Sequence, residues 1–298
     1  FSLIFFRQIR SITDGSAIIT GILLAFTVGS FTPLHVVAFG SAMAVIFGKL
    51  LWSGLGRNVF NPALIGREFM TIFFPAVMTS GSIWYSKASV NLTEIKLFGN
   101  SLLDELFFKP SGAVGEYSIV FLVLGGLFLL IRRRISWHIP FSLLAAFVGF
   151  LFIFADYNIS FSLGGVLLGT IFMATDMPSS PSTNYGKCFY GAMIGLVAIL
   201  FIINDVKFES MSYSILLLNA FAPYISKTFR PRTWGKSLDV VALVWKGSLL
   251  TSAILITTFA VVYLHHLGGV QYLLYVYILF SIGRFIFADI KGREKSLA

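Results

Sequence analysis

Apolar runs alternate with short polar ones along the whole chain, at about residues 15–31, 34–51, 59–75, 117–131, 137–155, 161–175, 187–203, 212–226, 239–264 and 270–288. A helix needs roughly 20 apolar residues to cross a bilayer core of ~30 Å. The pattern therefore predicts an all-α polytopic membrane protein. Several runs are too short or too interrupted to be ordinary crossings. Residues 15–27 read GSAIITGILLAFT and then meet Val28-Gly29-Ser30-Phe31-Thr32-Pro33, and residues 164–176 read GGVLLGTIFMATD and then meet MPSSPS. Most unusual is GRNVFNPALIGREF, which sets two arginines, two asparagines, a glutamate and a proline between apolar flanks.

Composition fixes the solvent. The chain is 57% hydrophobic and 12% charged, with a mean hydropathy of +0.86, whereas soluble domains are about 25% charged. The net charge of +9 is read as loop charge that sets orientation, not as a nucleic-acid surface. With Arg132-Arg133-Arg134 placed in the cytoplasm, Arg7/Arg10, Lys49/Arg57, Lys187, Lys227/Arg230/Arg232/Lys236 and Lys291/Arg293/Lys295 fall on the same side. Asp156, Asn204/Asp205, His265/His266 and the loop 76–116, with Glu94, Asp104 and Glu105, collect on the other. Both chain ends are then cytoplasmic. With one cysteine, Cys188, and four histidines, the chain lacks the thiolates for an iron–sulfur cluster and the close Cys/His spacing of a structural zinc site. Any electron carrier is organic or shared with a partner. The chain opens on Phe1, and FSLIFF lacks signal-peptide flanks, so it is expected to begin partway into something longer.

An internal repeat is also visible. Gly21–Thr27 lies over Gly169–Thr175, GSAMAVIFGKLL from Gly40 over GAMIGLVAILFI from Gly191, and NPALI from Asn61 over NAFAPYI from Asn219. The charge topology gives the two copies opposite senses, so the expected fold is two inverted-topology repeats with broken half-helices meeting near the midplane, plus two extra C-terminal helices. An Asn-Pro step at that depth frees backbone groups that only protein or a watery cavity can satisfy. Asn61 can bond the loosened backbone, and Pro62 suits the first turn of a new half-helix. Asn61 and Asn219 are either staples between broken helices or members of a binding site. Arg57, Arg67 and Glu68 need partners, a cavity or the interface. Asp14, Glu116 and Asp176, each at the lip of a half-helix or span, are candidate cation ligands, and Asp14 and Glu116, at helix starts, could equally cap backbone amides.

TDGSAIITGILLAF, GLGRNVFNPALIGREF, FPAVMTS, GAVGEYS, LGGLFLLIRRRISWHIP, GGVLLGTIFMATDMPSSP and RPRTWG together resemble the Rnf D / Nqr B family, the integral membrane flavin-carrying subunits of ion-pumping redox complexes of the bacterial inner membrane. The resemblance runs from about residue 12 to 235. It implies FMN joined through its phosphate to an outer-loop threonine and a riboflavin associated with the membrane core. The acceptor position falls at Thr93, where the family's preceding Ser-Gly-Ala has become Val90-Asn91-Leu92, so Thr93 is either the FMN acceptor or an ordinary loop threonine. The family usually stops after RPRTWG, whereas two more apolar spans follow here.

The expected organisation is a family-like membrane domain over 1–236 (repeat one about 12–75, outer loop 76–116, repeat two about 117–236) and a two-helix extension over 237–298. The expected function is electron transfer through flavin within a multi-subunit oxidoreductase that moves Na+ or H+. The alternative is a stand-alone channel or transporter for a small polar solute on the same architecture. No glycine-rich nucleotide loop follows a strand, so partner subunits bring electrons and take them away. A flavin on the outer loop would stand about one bilayer core, ~30 Å, from cytoplasmic donors, too far for a single tunnelling step. A second flavin is therefore expected midway, in the cavity between the half-helices near Asn61, Arg67 and the 169–176 segment. The cofactor-binding candidates are Asn58, Asn61, Arg67, Gly115, Glu116, Gly169, Thr175 and Asp176, with Thr93 for the covalent FMN.

Overall fold

The computed structural model describes residues 15–52, 56–79, 112–154, 161–206, 209–231 and 240–297, with side chains to Phe287. Each apolar run is a helix: α1 Ser16–Phe26, α2 Leu34–Gly48, α3 Pro62–Phe73, the one-turn α4 Pro75–Met78, α5 Ile119–Ile131, α6 His138–Ile153, α7 Leu163–Leu168, α8 Asn184–Ile203, α9 Ser210–Thr228, α10 Val240–His266 and α11 Val270–Leu297. Among the described residues four stretches, Leu34–Trp52, Asn184–Ile203, Val240–His266 and Val270–Phe287, are long and apolar enough to cross a membrane.

The interrupted runs are half-helices. With 11 residues, α1 is about 16 Å long, half of a bilayer core. It stops where Thr27 turns its hydroxyl back to the Leu24 carbonyl at 2.7 Å and the chain runs through residues 28–33 to Pro33. Helix α7 continues as a single π turn, Gly169–Met173, in which the Ala174 N–H reaches the Gly169 carbonyl at 2.8 Å. Such turns insert one extra residue and are frequent at functional sites. The 12 residues of α3 begin at Pro62, whose missing N–H costs nothing at the first helical position.

The elements recur in the order the sequence matches predict: half-helix α1, then α2, then α3; half-helix α7 with its π turn, then α8, then α9. One detail differs from expectation. Helix α9 is not interrupted at Asn219 but runs unbroken through it. The difference is where proline falls. Pro62 directly follows Asn61 and starts a helix, whereas Pro223 lies a full turn beyond Asn219, inside α9. There it removes only the hydrogen bond to the Asn219 carbonyl, which a membrane helix tolerates when neighbours satisfy the freed group.

Packing is close where glycines face one another. A Cβ on Gly66 would lie 2.6 Å from the Gly40 carbonyl oxygen and 2.7 Å from Ala44 Cβ, so α2 and α3 touch backbone to backbone. Likewise, Cβ atoms on Gly191 and Gly195 would strike the α6 carbonyls of Ile139 and Leu143, each at 2.7 Å. Small residues at helix contacts are how membrane helices gain dispersion energy where lipid supplies no hydrophobic drive. The main core lies between α6, α7, α8 and α9, with Tyr190, Ile194, Phe201, Ile215 and Leu218 sealed inside. By contrast, α10 and α11 present Val241, Trp245, Val276 and Phe287 outward, each more than 60% exposed.

Candidate functional site

Long-range contacts gather at three levels along the helices. At the first, toward the end that carries Arg132–Arg134 and Lys187, the coil before α3 meets the coil after the π turn. Asn58 Nδ2 donates to Asp176 Oδ2 at 3.2 Å and to the Phe60 carbonyl at 3.3 Å, and the Ser179 hydroxyl donates to the same Asp176 oxygen at 2.8 Å. Lys49 acts on Asp176 through its charge, and its ammonium caps the Ser16 carbonyl at 2.6 Å. Asp176 is thus met by two side-chain donors and a nearby positive charge.

At the second level, half-way along, the two copies meet. Asn61 is the N-cap of α3: its Oδ1 accepts from Ala63 N–H at 3.0 Å and Leu64 N–H at 3.4 Å. Its Nδ2 crosses to the second copy and donates to the Met173 carbonyl at 3.1 Å, at the end of the π turn. With its amide oriented so that both ends are satisfied, Asn219 returns the contact. Its Oδ1 accepts from the Asn61 backbone N–H at 3.0 Å, and its Nδ2 donates to the Ser179 carbonyl at 3.2 Å and the Tyr190 hydroxyl at 2.5 Å. Both asparagines are buried. They meet as the repeat reading requires, and they staple the broken ends together.

At the third level, one or two turns beyond, Arg67 Nη1 donates to the Thr27 carbonyl at 2.8 Å. A helix C-terminus leaves carbonyls unpaired and partially negative, so a buried guanidinium is a suitable cap for α1. The neighbouring Glu68, also buried, faces Tyr213 and Glu209 of the α9 start.

The predicted set thus divides. Asn58, Asn61 and Asp176 come together. Arg67 lies further along α3. The Thr175 hydroxyl is spent on its own Ile171 carbonyl at 2.6 Å, and a Cβ on Gly169 would come within 2.8 Å of Met211 Cε, so that glycine serves the packing of α9. Gly115 and Glu116 lie in a separate cluster. Gly115 sits against Phe26, where a Cβ would be 2.8 Å from the Phe26 carbonyl oxygen. Glu116 does not cap its own span, because Ser118 caps α5. Its Oε2 instead accepts from the Ser162 hydroxyl at 2.6 Å, and Ser162 in turn caps α7. Thr93 and Asp14 lie outside the described residues. Sequence reasoning did not anticipate Lys49, Ser179, Tyr190 or Tyr213 in these contacts. Lys49, Tyr190 and Tyr213 stand singly in apolar runs, and Ser179 is one of several neighbouring serines, so no local signal marks them.

A flavin can be tested against this arrangement. The polar atoms of Asn61 are all bonded to protein, so a ring there would have to displace the staple. Asn58 differs: it lies on non-helical backbone, and its Oδ1 accepts no hydrogen bond among the described residues, although the residue is buried. That oxygen is a ready acceptor for a ring N–H, and Asp176 beside it is a second. This level fits a flavin edge; the asparagine staple does not. Among the described residues no group of three or more His, Cys, Asp or Glu side chains forms a metal centre.

Half-length helices whose ends are tied inside the membrane by asparagine, arginine and aspartate define a polytopic protein of the broken-helix class, in which irregular backbone is kept where it borders a site or pathway. Within that class the sequence matches the family described as NQR2, RnfD, RnfE over residues 1–235, and the chain belongs to that family. It is 36% identical to the D subunit of the proton-translocating ferredoxin:NAD(+) oxidoreductase complex of Clostridium ljungdahlii, over 76% of each chain. It is 34% identical to the D subunit of the Na(+)-translocating ferredoxin:NAD(+) oxidoreductase complex of Acetobacterium woodii, over 76% of this chain and 74% of that one. To the B subunit of the Na(+)-translocating NADH-quinone reductase of Pseudomonas aeruginosa it is 32% identical, over 70% of this chain and 58% of that one.

Proposed function

We propose that this chain is the membrane-embedded electron-transfer subunit of a multi-subunit oxidoreductase that moves Na+ or H+ across a bacterial inner membrane. The observation that carries this reading is the family match over residues 1–235 joined to a polar junction inside the membrane that lipid alone would not permit. Other subunits of the complex deliver and remove electrons, because the sequence carries no glycine-rich nucleotide loop.

In this reading a flavin is held non-covalently at the first level, on the basic side of the Asn61–Asn219 staple rather than at the half-way level itself, whose polar atoms are committed to protein. The Asn58 carbonyl oxygen and the Asp176 carboxylate face its polar edge, with Lys49 offsetting the aspartate charge. Bound there, a flavin would supply one-electron steps between partner centres. The protein's part is to fix its edge against buried hydrogen-bond acceptors and to keep water out with the packed ends of α3 and the π turn. Thr93 carries a second, covalent FMN on the opposite side of the membrane. The end with Arg132–Arg134 is cytoplasmic, as are both termini. The family-like domain covers 1–236, and α10 and α11 form an added two-helix extension whose outward apolar faces suit lipid and neighbouring subunits.

The test is flavin content. The intact complex, purified in mild detergent, should show visible flavin absorbance and fluorescence that stay with this chain. Asn58→Ala and Asp176→Ala should lower the non-covalent flavin while leaving the assembled complex intact. An active, assembled complex without flavin on this chain would refute the reading and favour a stand-alone channel or transporter.

A further inference from the structure

Glu68 has no place in the junction just described, yet it is among the most buried charged residues of those described. It lies on α3 two turns beyond Asn61, about 10 Å further along by the helix rise, and is 5% exposed. Neither of its carboxylate oxygens has a hydrogen-bond partner among the described residues. An ionised carboxylate left this way in a low-dielectric interior is strongly unfavourable unless something positive joins it.

The surroundings show what can join it. Arg67 next to it acts on Glu68 through its charge but is turned to the α1 end, where it caps Thr27. Across from α3, the N-terminal part of α9 brings Glu209, whose negative charge also acts on Glu68, and Tyr213, on which both carboxylates act. The His265 ring at the end of α10 lies 6.1 Å from the Tyr213 ring. The charged or titratable groups on other helices packed against α3 are engaged elsewhere. His35 stands edge-on to Phe74, Lys49 is at the Ser16 carbonyl, and Arg284 lies over Trp52. Among the described residues, one arginine and two carboxylates act on one another here, and their sum is one negative charge. All the uncommitted ligand atoms are oxygens, which suit a hard cation. Two carboxylates with no third Asp, Glu, His or Cys among the described residues match a single positive charge better than a divalent metal.

We infer that the Glu68 carboxylate, with Glu209 and Tyr213 opposite, is a resting site for one monovalent cation, a sodium ion or a proton in its place. The site lies on the side of the asparagine staple away from the basic clusters. His265 and Glu209 mark its approach from that membrane face, and the Asn61–Asn219 staple closes it toward the other. A cation arriving at Glu68 relieves the repulsion between its charge and that of Glu209, so occupancy is coupled to the spacing of α3 and α9, the two helices whose asparagines join the repeats. This assignment rests on the ion-translocating reading above and deepens it by naming the carboxylate.

The test uses the intact complex, first in detergent and then in sealed proteoliposomes. A hydrophobic carbodiimide modifies buried protonated carboxyls, and mass spectrometry locates the adduct. We expect modification at Glu68. Protection by Na+ but not by K+ assigns the site to sodium. Modification that is indifferent to Na+ and declines as pH rises assigns it to the proton. In proteoliposomes Glu68→Gln should lose most ion movement while keeping its flavin content and subunit composition, and Glu68→Asp should restore part of it. A Glu68→Gln complex that moves ions at the wild-type rate overturns the proposal, as does a Glu68 that is unmodified while other buried carboxyls react. A flavin-free complex would refute the electron-transfer reading, yet the carbodiimide pattern would still report on the site, so the two failures are distinguishable.

Discussion

Replacing Asn61 perturbs one side chain that does two jobs, and the jobs can be separated. As N-cap it accepts from the Ala63 and Leu64 amides; as cross-repeat donor it bonds the Met173 carbonyl. Losing an N-cap acceptor costs about 1 kcal/mol. An interhelical hydrogen bond inside a membrane contributes about 0.6 kcal/mol on average, up to ~1.7. Asn61→Ala removes both and should therefore destabilise the fold by ~2 kcal/mol. Asn61→Ser keeps a cap oxygen but cannot reach Met173, so it should lose only the second contribution, ~1 kcal/mol. Asn61→Asp also keeps the cap but places a charge at membrane depth, which costs ~3 kcal/mol in insertion measurements. The expected order of stability is Asn, Ser, Ala, Asp. The assay is reversible unfolding in bicelles followed by tryptophan fluorescence and repeated by circular dichroism, so that a two-state comparison is justified. If Asn61→Asp equals or exceeds Asn61→Ser, the residue is not enclosed as described. If Asn61→Ala is neutral, the staple contributes nothing.

Three further outcomes follow from the geometry. Gly66→Ala should push α2 and α3 apart and cost ~1–3 kcal/mol as overpacking, whereas Gly149→Ala, with nothing within 4 Å of the added carbon, should be neutral; equal effects in the same unfolding assay would refute the close backbone contact. In a Cys188→Ser background, Ser136→Cys should react with a membrane-impermeant thiol reagent only from the cytoplasmic side and Ser111→Cys only from outside, and the reverse pattern would invert the topology. Peptide mass spectrometry of the flavin-loaded complex should find Thr93 carrying FMN; an unmodified peptide ends the covalent proposal and leaves the Asn58–Asp176 site standing.

Much of the architecture was legible because a bilayer imposes few solutions on a chain. Each apolar run became a helix, and the short ones became half-helices because their Gly, Ser and Pro ends could not continue. The Asn61–Asn219 meeting was also readable, since a matched polar residue in each copy of an inverted repeat must find a partner somewhere near the axis. Other parts were not. That Arg67 caps α1 depends on where Thr27 ends relative to α3, a distance no spacing reveals. The continuity of α9 through Asn219 turned on a proline displaced by a few residues. Glu116 looked like a cap for the span that follows it, but tertiary packing gave it to α7, more than forty positions along the chain. That Glu68 has no hydrogen-bond partner among the described residues depends on the helices packed around it, so nothing in the local sequence could announce it.

The reach of the Asn61 amide has a consequence for how the protein is made. Its acceptor on Met173 lies 112 residues further along the chain, and at ~5–20 residues per second of synthesis that partner emerges on the order of ten seconds later. Until then the Asn61 side-chain amide, its backbone N–H and the Glu68 carboxylate sit at a depth where lipid offers them nothing. The nascent half must wait beside the insertion machinery, sheltered in a protein-lined space, and is released to the bilayer only when the second half arrives to close it. Expressed alone, residues before the outer loop should be held there and degraded; supplied together as separate polypeptides, the two halves should rescue each other.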